Sequence, residues 1–440
     1  MENIASIFDY KYDKSSNVNI IFNDFSLGET VIKEDCEFEK NRLPSVFPCM
    51  PPENNEDPFY YQYTETGDDD YKIAILWQGK KYLLDCSDNP QGEFTLKGMD
   101  KCLRPIQPNI FKMGPNSYRM YFWAHYHGTP RMVRFLMATS SDLHHWEIAN
   151  NGQPILCHYS DILSTSGQFP VTRQCNDATN VYQRKDGSFE IVSASLIRLD
   201  ADSKTRYYQK DLWKGYVRVI QRWTGDGLNN WSQPEIIVLP DENDPVDLQM
   251  YYLCINELPH GNLGLLGRYS VARQEMTIEP VWSFDRRHWI RPLRKAIDFE
   301  KNSLIVAPAH HMVEKDDKLI IYYTKANYDH NFKTSDNSKP TTTICKATID
   351  KNRLFGLQIN NATVTTPPLR LNQPTMKLYT SKDSKLDFVF LNAFGEASNK
   401  TLQTKEITSG LWEIEITDGL LGSTGRLQIT GSGTIFDLIY

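Results

Sequence analysis

Short aromatic and β-branched runs, paired around polar turns, recur in a fixed order along most of this chain. Pro108–Met113 and Ser117–Ala124 flank Gly-Pro-Asn, and Ala178–Gln183 and Ser188–Ala194 flank Arg-Lys-Asp-Gly. Met250–Ile255 and Asn262–Tyr269 flank Pro-His-Gly, and Ala309–Glu314 and Lys318–Tyr323 flank Lys-Asp-Asp. Two such runs around a turn predict an antiparallel hairpin. Their recurrence predicts a repeat architecture. Tyr71–Trp77 and Lys81–Leu84, split by Gln-Gly-Lys, supply a further unit.

A second signal follows the hairpins. Met132–Thr139 leads into Ser140-Ser-Asp-Leu-His-His-Trp146, Arg218–Trp223 into Thr224-Gly-Asp-Gly-Leu-Asn-Asn-Trp231, and Met276–Trp282 into Ser283-Phe-Asp-Arg-Arg-His-Trp289. Each is a strand, a Ser or Thr, an Asp two residues on, and a Trp beyond. The hydroxyl and carboxylate satisfy backbone N–H groups of the turn, and the indole packs between neighbouring units. Asp142, Asp226 and Asp285 are therefore expected to be structural.

Beyond residue 355 the pattern changes to Leu386–Leu391, Leu411–Thr417, Arg426–Thr430 and Thr434–Tyr440. Alternation sends Trp412, Ile414 and Ile416 inward and Glu413 and Glu415 outward, which predicts a small antiparallel sandwich. Helical periodicity is nearly absent. The chain reads as all-β, with a five-bladed β-propeller over residues 59–354 and a small C-terminal β-sandwich over 355–440. Residues 1–58, with Pro44, Pro48, Pro51 and Pro52, read as an N-terminal extension packed on the propeller and able to give it a closing strand.

Composition narrows the function classes. A formal charge of −7 disfavours a nucleic-acid footprint, which needs basic clustering. No apolar run approaches a membrane span, and the amino terminus lacks a secretory pattern, so a cytoplasmic location is expected. The cysteines show no C-x-x-C or Cys/His spacing, so no metal is expected and reduced core thiols are favoured over disulfides. No cofactor motif is present, and nothing in the pattern specifies an oligomeric state.

Hairpin blades, S-x-D-x-x-x-W turns and a C-terminal sandwich together resemble the five-bladed β-propeller glycoside hydrolases, the furanosidase-type group of families 32, 43 and 68. The sandwich is similar to that of family 32. The resemblance implies a glycosidase whose acids sit on the innermost strands, facing the axis. Arg173-Gln-Cys-Asn-Asp177 resembles the Arg-Asp segment of family 32, which implies that Asp177 is the transition-state-stabilising aspartate. Asp247, ahead of the next inner strand, corresponds to the blade that carries the acid/base glutamate, one methylene shorter. Where family 32 has Asn-Asp-Pro, this chain has Ile106-Gln-Pro-Asn109 and no carboxylate. That leaves a first acid from 59–100, Asp85 or Asp88, or a pair made by Asp177 and Asp247, with Glu257 and Glu279 in reserve. Acetal hydrolysis needs one protonated carboxyl and one carboxylate, whose separation sets inversion or retention.

Sugar recognition calls for aromatic faces and bidentate donors. The candidates are Arg104, Trp123, His125, Arg134, Arg173, Tyr251, Arg268 and His310; alternation lets only one of His310 and His311 face the axis. The expected activity is exo-acting hydrolysis of an oligosaccharide or glycoside. A phosphorylase on the same fold, as in family 130, and a non-catalytic carbohydrate-binding propeller stay open, because propellers host many functions.

Overall fold

The computed structural model describes residues 4–12, 17–35, 45–50, 52, 56–64, 71–100, 103–126, 133–158, 171–172, 179–198, 216–297, 303–331, 334, 338–397, 402–417 and 419–440. Among them there is no α-helix. Among the described residues five antiparallel meanders follow one another, the last two joined in one eight-stranded sheet by a parallel bridge between Met276 and Ile305. Blade 1 comprises Ser45–Met50, Phe59–Thr64, Tyr71–Trp77 and Lys80–Leu83. Blade 2 comprises Leu103–Gly114, Ser117–Tyr126 and Val133–Ser140, edged by His145–Ile148 and Leu156–His158. Blade 3 comprises Asn180–Gln183, Phe189–Arg198, Tyr216–Gly225 and Glu235–Val238. Blade 4 comprises Leu248–Leu258, Gly261–Ser270 and Glu275–Ser283. In blade 5, Ile305–Pro308 and Val313–Lys315 pair with Lys318–Ala326, which pairs with Thr341–Asp350; Ser26–Asp35 adds the outermost strand.

The amino-terminal segment thus supplies two propeller strands, and blade 1 begins at Ser45 rather than near residue 59. Its inner strand is hard to read in the sequence because Pro48 weakens a strand pattern. A bulge between Pro48 and Met50 interrupts the ladder there, which is where a strand tolerates proline. The ring closes through side chains. Phe59 of blade 1 meets Tyr322 of blade 5 edge-on at 5.2 Å within a shared apolar cluster. Trp146 donates its Nε1–H to the Tyr60 hydroxyl at 3.1 Å between blades 1 and 2. Trp231 packs on the cluster shared by blades 2 and 3, and Trp289 on that shared by blades 3 and 4. Gly264 admits the last indole, since a Cβ there would stand 2.5 Å from the Trp289 ring.

Residues 355–440 form the sandwich around one long strand, Thr424–Ile439. Its first half pairs with Lys385–Asn392 and Leu369–Arg370, its second with Thr375–Thr380 and Ile4–Ala5. It turns at Gly431, whose φ of 143° and contact with a neighbouring carbonyl exclude a side chain; a Cβ would lie 2.0 Å from the Lys385 oxygen. Val18–Phe22 adds an edge strand alongside Phe355–Thr365. One apolar cluster runs from Leu357, Ile414 and Leu438 of the sandwich into Tyr252, Leu265 and Ile321 of blades 4 and 5, which docks the two parts together.

Candidate functional site

The propeller has two unlike ends. At the lower end lie the Ser-x-Asp turns. Asp142 Oδ1 accepts from the N–H groups of His144 (2.8 Å) and His145 (2.9 Å), and Oδ2 faces His145 Nδ1 at 2.8 Å. Asp285 repeats this with Arg287 (2.8 Å), His288 (2.8 Å) and His288 Nδ1 (2.7 Å). Asp226 accepts from Leu228 and Asn230. The next residue is left-handed in all three turns: Leu143 (φ 67°), Gly227 (φ 81°) and Arg286 (φ 61°). At Asp142 and Asp285 desolvation raises the carboxyl pKa, but the donated hydrogen bonds outweigh it and hold both well below the usual carboxylate range.

Along the axis, inner-strand side chains join each blade to the next. Asn109 Nδ2–H donates to the Thr179 carbonyl at 3.1 Å, and its Oδ1 accepts from the Val181 N–H at 3.0 Å. Asn180 Nδ2–H donates to the Leu253 carbonyl at 2.9 Å. The Tyr182 hydroxyl accepts from the Ile255 N–H (2.9 Å) and donates to the Leu253 carbonyl (3.0 Å), with the His310 carbonyl 3.3 Å away. The Cys254 thiol reaches the same His310 carbonyl at 3.4 Å. These buried groups tie blades 2, 3, 4 and 5 together through their inner strands. Burial pushes the Tyr182 hydroxyl well above its usual range and His310 well below, so both are neutral at pH 7; His311 is lowered to about 4.

At the upper end the inner strands begin. Asp247 precedes Leu248–Leu258 and is partly buried. Its Oδ2 accepts from the Ser270 hydroxyl (2.5 Å) and the Ala272 N–H (3.2 Å), while Oδ1 has no partner among the described residues. Tyr251 sits in a bulge between Met250 and Tyr252, a device that re-aims a side chain. Its hydroxyl lies 3.3 Å from His330 Nε2. The Arg218 guanidinium lies over the rings of Tyr251 (4.8 Å) and Tyr269 (5.5 Å). This end of blade 4 therefore gathers an oriented carboxylate, a phenol, an imidazole and a guanidinium. A carboxylate held through one oxygen can exchange a proton through the other.

Asp177 and Arg173 lie outside the described residues, as does the side chain of His125. Arg104 and Arg134 begin the first and third strands of blade 2, at the upper end. Three expected sugar contacts are placed elsewhere. Trp123 is 0% exposed, packed on Phe135 in the core between blades 2 and 3, and offers no face to a ligand. His310 is 1% exposed, buried inside the propeller. Arg268 donates to the Arg294 carbonyl and lies 3.5 Å from buried Glu279, inside an ion network rather than at a surface. That network also binds Glu279 and Asp244 to Arg291 and Asp241 to Arg294.

The reserve acids are equally committed. Glu257 pairs with Lys185 and Arg286, each at 2.8 Å, at the lower end. Asp85 Oδ1 and Oδ2 cap a turn by accepting from Ser87 and Gln91 N–H groups, and Asp88 is exposed in that turn. Sequence reading missed Arg218, Tyr182 and His330. It also missed Gln107, left-handed at φ 52° in a bulge of the blade 2 inner strand. No local motif marks any of them. Among the described residues, no group of His, Cys, Asp and Glu is arranged to hold a metal ion, and no helix is long and apolar enough to cross a membrane.

No known family model matches the sequence, and no curated protein matches it. Solved structures give distant likenesses. One is a GH32 β-fructofuranosidase of Bombyx mori, at 11% identity and a TM-score of 0.39, covering 94% of this chain and 92% of that one. Another is a GH43 β-xylosidase/α-arabinofuranosidase from a compost microbial metagenome, at 12% identity and a TM-score of 0.41, covering 74% and 94%. A third is an N-acetylgalactosamine deacetylase from F. plautii, at 9% identity and a TM-score of 0.42, covering 80% and 96%.

Proposed function

We propose that the protein is an exo-acting glycoside hydrolase working at the upper end of the propeller axis, with Asp177 and Asp247 as its essential acids. The observation that carries this reading is Asp247. Two donors orient its carboxylate through Oδ2, and Oδ1 has no partner among the described residues at the end where the inner strands begin. Tyr251 with His330, and Arg104 and Arg134 of blade 2, stand at the same end and carry the donors and acceptors that bind sugar hydroxyls.

A phosphorylase is the second reading. It is favoured by the blade 2 inner strand, which has Gln107 and Asn109 where a first carboxylate is expected, with Asn109 already spent on blade 3. Both readings meet one experiment. Purified protein is incubated with aryl glycosides and short oligosaccharides, with and without phosphate, alongside Asp177→Asn. Release of a free monosaccharide without phosphate, lost in the variant, is the expected result. A sugar phosphate formed only with added phosphate moves the protein to the phosphorylase class. Saturable binding without turnover over the whole panel rejects both.

A further inference from the structure

The sandwich carries a polar groove that the propeller chemistry does not use. It encloses about 550 Å³ and is lined by Asn17, Asn19, Gln358, Asn360, Asp383 and the Ser432–Thr434 stretch, among others. That volume falls within the range of small-molecule sites, roughly 300–1,000 Å³.

Strand pairing builds the groove. Asn19 lies opposite Gln358, and the Asn360 N–H donates to the Asn17 carbonyl at 3.1 Å. Successive outward positions on two neighbouring strands thus carry carboxamides, while Ile359 between them is buried at 2% exposure. The opposite wall is the bend of the long central strand. Its Ser432 hydroxyl accepts from the Asn361 N–H (2.9 Å) and donates to Asn361 Oδ1 (3.1 Å). The Ser381 hydroxyl accepts from the Thr434 N–H at 2.9 Å. Gly433, at φ 147°, keeps the wall clear, because a Cβ would stand 2.2 Å from Ser384 Oγ. The serine hydroxyls are therefore committed to the frame. The side chains of Asn17, Asn19, Gln358, Asn360 and Asp383 make no hydrogen bond among the described residues, and all five are exposed.

Asparagine is a poor strand residue, and an edge strand is usually protected by lysine or proline. Val18–Phe22 is such an edge, yet it presents Asn19 to Gln358. Local folding preference does not account for this choice. We propose that the carboxamide groove is a second binding site, taking a neutral oligosaccharide. Each carboxamide offers a donor and an acceptor, which matches hydroxyls that are both at once. Among the described residues no Lys or Arg lines the groove, and Asp383 repels anions, so acidic sugars are disfavoured. With no aromatic face among the described lining residues, the site should bind weakly, with Kd on the order of millimolar.

Affinity electrophoresis of the whole protein through gels holding starch, arabinoxylan, inulin or galactomannan tests this, with carboxymethylcellulose as the anionic control. At least one neutral polymer should retard the protein. Asn19→Ala combined with Gln358→Ala should weaken that retardation about tenfold or more, as expected when two hydrogen-bonding side chains are lost. Both positions are exposed, so an unchanged melting temperature will show that the variant is folded. Equal retardation of variant and wild type overturns the proposal, as does retardation by the anionic polymer alone or by none. Mobility requires no turnover, so failure here and failure of the hydrolase reading are separate results.

Discussion

The two ends of the propeller differ in how they are made. The lower end repeats itself: Asp142 and Asp285 make the same hydrogen bonds, with a histidine three residues on facing each carboxylate. Among the described residues the upper end shows no such repeat. Asp247, Tyr251, Arg218 and His330 come from blades 3, 4 and 5, each with a partner found once. A device needed in every blade recurs because it holds the blade. A device present once answers to something the ring does not need. The repeated end should therefore govern stability and the unrepeated end chemistry.

The sharpest way to break that division is Asp247→Asn. The amide keeps an acceptor for Ser270 and Ala272, so the fold should survive. Turnover should fall by about 10²–10⁴-fold, the usual range for loss of a general acid or base. A variant with wild-type kcat would return Asp247 to the class of turn caps.

Arg286→Ala should have the largest effect on stability. Arg286 bridges Glu190 (2.9 Å) and Glu257 (2.8 Å), and Glu190 is 0% exposed. Removing it leaves a buried carboxylate short of a partner that Arg222 alone must serve, a loss of about 3–5 kcal/mol. Denaturant titration reads this directly. An unchanged unfolding midpoint would show that the network does not hold blade 4 to blade 3.

Asp285→Ala should cost less, roughly 0.5–3 kcal/mol, as for other lost caps and turn bonds. Activity per folded molecule should stay at the wild-type level. Full stability with abolished activity would invert the comparison between the ends.

The smallest effect is a pair of pH windows. His311, lowered by burial to about 4, favours the neutral ring in the folded state. Its contribution is complete above the unfolded imidazole value of about 6.5 and is lost as pH falls towards 4. Asp241 is held at about 2, chiefly by its hydrogen bonds from Arg294. Its contribution is complete above about 3.9 and disappears only as pH falls towards 2. Urea midpoints should therefore decline first below pH 6.5, with His311→Gln reducing that step by the share it holds beside His260 and His310, which burial also lowers, while leaving the one below pH 4. A step unaffected by His311→Gln would remove His311 from the account.

The hairpins, the Asp turns and the alternation of the sandwich were legible in the chain because their causes are local. The hydrogen bond that the His145 N–H donates to Asp142 spans three residues, and Ile414 is buried where period-two alternation puts it. Prolines hid the inner strand Ser45–Met50, and its place was decided by pairing with Phe59–Thr64. The site was less legible. Trp123, Arg268 and His310 carry side chains suited to sugars, yet their exposure depends on residues brought from other strands and blades: Phe135, Glu279 and Tyr182. A sequence states which groups are available within a few residues of one another. Which of them meets water, a partner or the axis depends on strands brought alongside from far along the chain, because burial and desolvation are properties of the assembled ring.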